Sequence, residues 1–69
     1  MNKPREILNA YQEFGAGDRL RLLDRCGIPR SVVSELPPHI HLDKVTSIVA
    51  SNTTIRIKFW TAVAEMRGE

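Results

Sequence analysis

Arg30, Ser31, Ser34 and Glu35 can all hydrogen-bond, and the last three follow the first by one, four and five residues in a chain of 69 residues. On a helix that spacing gathers them on one side, while Val32, Val33 and Leu36 turn the other way. A short polar face of this kind suits the major groove of DNA, where each base pair presents its own pattern of donors and acceptors. Arg30 is then placed to take the O6 and N7 of guanine, and Glu35 to accept from the amino group of cytosine. Arg19, Arg21, Arg25 and Lys44 are candidates for phosphates, contacts that orient a protein on the duplex without reading its sequence. The plain alternatives are an ordinary solvated helix face for the first set and surface charge for the second.

Such a face needs two short helices that meet at a bend. Residues 19 to 26 supply the first, with Leu22, Leu23 and Cys26 on one side, Leu20 at its border and Asp18 as the expected N-cap. Gly27 supplies a turn that calls for positive φ. Pro29 is expected to restart a helix that runs through Leu36, and Pro37-Pro38 to stop it, because neither proline can donate a helical hydrogen bond. Upstream, Pro4 opens a helix over about residues 4 to 14, with Ile7, Leu8, Tyr11 and Phe14 at helical spacing and Gly15 as its stop. Downstream, Leu42, Val45, Ile48 and Val49 predict a helix over about 41 to 50. Ile55, Phe59, Ala62, Val63 and Met66 predict another over about 53 to 67, with capping oxygens from Ser51, Asn52 and Thr53 and Gly68 as its close.

The expected fold is all-α: one domain, residues 1–69, built as a bundle of four or five helices with a helix-turn-helix at about 19 to 36. Thr54 to Phe59 also alternates apolar and polar residues, so residues 44 to 60 could instead form the hairpin of a winged helix. The stripe that continues to Met66 favours helices, and so does the absence of an Asn-Gly or Asp-Gly turn.

The run Gly27-Ile28-Pro29-Arg30-Ser31-Val32-Val33-Ser34-Glu35-Leu36 resembles the helix-turn-helix of lambda-repressor-like and related phage and bacterial regulators. In that family a turn glycine is followed by an apolar residue, a polar run and the pattern Ser-x-Val-Ser-x-apolar. The likeness covers about 18 residues, and the flanking helices match in arrangement only. It implies a sequence-specific transcriptional regulator of phage or mobile-element type. Such a protein would act as a repressor, reading a palindromic operator as a homodimer with half-sites one helical turn, ~34 Å, apart. Two features depart from the pattern. Leu23 stands where the family usually carries Ala, which holds the helices further apart or turns the leucine aside. Pro37-Pro38 also cuts the recognition helix short.

Composition bounds the rest. Ten Lys and Arg against eight Asp and Glu leave a net charge of +2, so only a clustered distribution would favour nucleic acid. A chain of this length buries roughly 60% of its unfolded surface, and dimerisation is one way to gain stability. Phe59 and Trp60 are adjacent and cannot face the same way on a helix. One fills the core, the other could anchor a dimer interface, and both are candidates. The lone Cys26 is expected in the core of a protein in a reducing compartment. His39 and His41 have no further ligands nearby and read as surface-loop residues, so no metal is expected.

No apolar run approaches the ~18 residues of a membrane span, and the N-terminus lacks a signal-peptide core, so a cytoplasmic location is expected. Neither a phosphate-binding glycine loop, a nucleophile elbow nor a pair of carboxylates on a cleft is visible. Neither catalysis, a cofactor nor a small-molecule substrate is therefore expected. The rival to double-stranded DNA is a protein partner, gripped by the same helices in a small adaptor or inhibitor. Low net charge favours that rival, and the polar face is neutral between the two.

Overall fold

The computed structural model describes residues 3–69. Along the chain come α1 (Lys3–Gln12), α2 (Ala16–Cys26), a single 3₁₀ turn (Arg30–Val32), α3 (Pro38–Ser51) and α4 (Thr53–Arg67). No strand occurs among the described residues, which removes the hairpin alternative for residues 44 to 60. The fold is all-α.

α2 packs chiefly on α4 and α1 on α3, and α3 also meets α4. Each helix turns one stripe inward: Ile7, Ala10 and Tyr11; Leu22, Leu23 and Cys26; Val45 and Val49; Phe59, Ala62, Val63 and Met66. The repeats of three and four residues are those of a helix with one apolar face. Ile28 and Val33, from the connection between α2 and α3, complete the cluster. No charged residue is buried among those described, so apolar burial supplies the driving force without a desolvated charge to offset. The radius of gyration is 10.9 Å, and a folded chain of this length is expected at ~11 Å.

The helix boundaries follow from their ends. Asn52 caps α4, its side-chain oxygen accepting from the Ile55 amide at 3.0 Å and satisfying one of the free donors of the first turn. Gly15, not Asp18, occupies the N-cap of α2; Asp18 lies in the first turn, where a carboxylate meets the positive end of the helix dipole. Pro38 opens α3 rather than ending the segment before it. A proline in the first turn forfeits no hydrogen bond, so the helix starts three residues ahead of the expected 41.

The main correction concerns residues 29 to 36. In place of a helix through Leu36 there is one 3₁₀ turn, followed by a further hydrogen-bonded turn. Its hydrogen bonds run back three residues, from Val32 to Pro29, Val33 to Arg30 and Leu36 to Val33. Proline at both ends explains this. Pro29 is extended and offers no side-chain cap, and Pro37 disfavours α-helical geometry at Leu36. The residues between include two serines and two valines, all weak helix formers. Too few positions remain to repay helix nucleation.

The bend itself is as expected. Gly27 has φ +85° and ψ +22°, the only positive φ among the described residues. Its amide reaches the carbonyls of Leu23 at 3.1 Å and Asp24 at 3.2 Å, and the Ile28 amide reaches Leu23 at 3.0 Å. These are the bonds of a Schellman closure, and its usual apolar pair is present in Leu23 and Ile28, both buried.

A Cβ at position 27 would meet nothing within 4 Å, so substitution there costs backbone strain alone. Gly27→Ala is expected to lose about 1–2 kcal/mol in urea denaturation. Gly27→Asn is expected to lose less, because asparagine tolerates the left-handed region better. Equal losses would show that conformation is not the cause.

Candidate functional site

The chain leaves the bend with its polar residues outward. Arg30, Ser31, Ser34 and Glu35 are all exposed, Val32 and Leu36 are half-buried, and Val33 is buried. The two-faced division expected of a helix therefore survives on a backbone that is not α-helical. Ile28 and Val33 pin the turn to the core from behind.

Arg30 donates to the Asp24 carboxylate at 2.8 Å, back across the bend. This hydrogen bond raises the already high pKa of the guanidinium. Both side chains remain more than half exposed, at 56% and 55%, so the pair is a loose surface contact.

Three of the four phosphate candidates have partners inside the protein. Arg19 lies 5.5 Å from the centre of the Tyr11 ring and donates to the carbonyls of Tyr11 and Gln12, at the negative end of α1. Arg21 bridges Asp18 at 3.1 Å and Glu69 at 2.8 Å. Arg25 meets Glu69 at 3.1 Å and Glu65 at 3.8 Å. Hydrogen bonds from Arg21, and also from Arg25, hold the Glu69 carboxyl below the usual carboxylate range. The fourth candidate, Lys44, is exposed on α3 and makes no ion pair among the described residues.

Phe59 is placed in the core, 1% exposed, and so cannot serve as a dimer contact. It follows the inward stripe of α4, and a helix turns the next residue away by ~100°. That residue, Trp60, is half-buried with its ring set edge-on to Phe59 at 5.0 Å between centroids. Cys26 is buried, and burial pushes its thiol up to about 11, which keeps it protonated at neutral pH. His39 and His41 belong to α3 and not to a loop. No group of three metal-binding side chains occurs among the described residues.

A feature missed in the sequence lies beside the polar turn. Leu20, Leu36 and Leu42 line an apolar groove of about 330 Å³ between the starts of α2 and α3, with Arg19 and His41 at its edge. Leu20, at the border of the α2 stripe, was its one visible sign. His41 Nε2 lies 2.6 Å from the Tyr11 hydroxyl. No protein-family model, curated protein or solved structure matches the chain.

The setting of His41, partly buried and close to the Arg19 charge, makes stability depend on pH. Burial raises the Tyr11 hydroxyl to about 12, against an opposing effect of Arg19, so it stays protonated. Burial, and then the Arg19 charge, lowers His41 below its ordinary value of 6.5. The unfolded chain therefore takes up a proton more readily than the folded one. The contribution of His41 is present above the ordinary imidazole pKa and is lost as pH falls through the lower folded value. Glu13, held down by its hydrogen bond with Arg67, and Glu69 titrate in the more acid carboxylate range. Urea midpoints are expected to drop between about pH 7 and about pH 5, and His41→Gln is expected to flatten that slope. An unchanged slope in the variant would assign the effect to another group.

Proposed function

We propose that the protein is a small, non-enzymatic regulator that binds double-stranded DNA, reading bases with the polar turn after Gly27. It would act in the cytoplasm, as a repressor on a palindromic operator. The observation that carries this reading is the outward row of Arg30, Ser31, Ser34 and Glu35 on a turn anchored by buried Ile28 and Val33. All four can bond to base edges, and their anchor keeps the entropy lost on binding small.

The turn is too short to lie along the groove as a recognition helix would. It would instead enter end-on, with Arg30 reaching furthest. The Arg30–Asp24 pair does not block this, because an exposed ion pair contributes little and gives way readily.

A second reading, as an adaptor that grips another protein, is favoured by one arrangement. Glu65 and Glu69 occupy Arg21 and Arg25, while the apolar groove of Leu20, Leu36 and Leu42 stays open.

Selection from random duplex DNA, followed by salt titration on the recovered sequence, separates the two. The DNA reading expects one enriched sequence and a steep loss of affinity with salt, as phosphate contacts release counterions. Arg30→Ala is expected to weaken binding by about tenfold and to relax one operator position. No enrichment, or binding indifferent to salt, would overturn the DNA reading in favour of the adaptor.

A further inference from the structure

Ile57 on α4 is 63% exposed, the most open of the large apolar side chains described. It forms a ridge between two depressions, both of which it lines together with Thr61. One, of about 460 Å³, also has Glu6, Arg56 and Trp60. The other, of about 340 Å³, has Arg25, Lys58, Ala62 and Glu65.

We propose that this face of α4 is a homodimer surface, on which α4 of a second copy lies antiparallel. A ridge flanked by its own grooves is complementary to itself after a two-fold rotation, the symmetry of most protein dimers. Ile57 of each copy enters the Glu65 end of the second depression on the other.

The charges select the direction. Along the stripe, Lys58 precedes Thr61 and Glu65 follows it, spaced so that all three share one side of the helix. A parallel copy would place like charge on like. An antiparallel copy crossing near Thr61 places Lys58 of each chain against Glu65 of the other, twice over, and also opposes the helix dipoles.

Both groups are available for this. Lys58 makes no ion pair among the described residues, and Glu65 makes one, at 3.8 Å to Arg25. Each depression carries both signs of charge, so a strongly acidic or basic partner would meet repulsion where a second copy would not.

This surface deepens the repressor reading, since a palindrome requires two subunits, but its test contains no DNA, so either can fail alone. Sedimentation equilibrium from micromolar to millimolar protein is expected to show a concentration-dependent dimer. Ile57→Glu is expected to stay monomeric throughout, with unchanged helical circular dichroism, because the side chain it replaces is exposed. Lys58→Glu and Glu65→Lys should each weaken the dimer by about tenfold, and the double variant should recover most of that loss. A wild-type monomer across the whole range, or an Ile57→Glu variant that still dimerises, overturns the surface. Failure of the double variant to recover overturns the antiparallel register.

Discussion

Only a residue without a Cβ reaches φ +85° at little cost, and at Gly27 that freedom closes α2. The amides of Gly27 and Ile28 fold back onto carbonyls that would otherwise end the helix unpaired. The same reversal carries Ile28 against the core beside Leu23. From there the path is constrained. Pro29 is extended, Val33 must return inside, and the polar residues around it have only the outside to occupy. The exposed row is thus a consequence of one bend and two buried anchors. Without them, a segment with so few backbone hydrogen bonds would have nothing to hold its shape.

How much of this could be read from the sequence depended on the range of the interaction. The stripe from Ile55 to Met66 and the cap at Asn52 are local, and α4 lies where they put it. Leu22, Leu23 and Cys26 were likewise legible as one inward face, and Gly27 as the turn. Which of Phe59 and Trp60 faces inward stayed open in the sequence, and packing against the other helices decides it for Phe59. The segment after Pro29 misled because its apolar spacing is helical while its length and flanking prolines are not. Patterning says which side chains go inside, but it does not say whether the backbone can afford the conformation. Pro38 misled for a related reason: proline is both a stop and a start, and which applies depends on which helix claims it.

The long-range charges left no trace at all. Arg21 and Glu69 pair across 48 positions in the sequence, and Arg67 pairs with Glu13 across 54. These contacts join the end of α4 to α2 and to the residue after α1. Exposed as they are, each adds little to stability. Their effect is on what the surface offers: several arginines counted as free in the composition are already committed to carboxylates.

That commitment is uneven, and the difference bears on how the surface could meet an anion. Arg21 and Arg25 share Glu69, which accepts from both, so releasing either disturbs a network of three or more groups. Such networks hold together better than isolated exposed pairs. Arg30 has one partner, Asp24, six residues away on the other side of the bend. Lys44 makes no ion pair among the described residues. A phosphate or base edge would therefore recruit Arg30 and Lys44 at less cost than Arg21 and Arg25. Of the candidates compared, those most ready to meet negative charge are Arg30 in the turn beyond Gly27 and Lys44 on the flank of α3, and not Arg21 and Arg25 on α2.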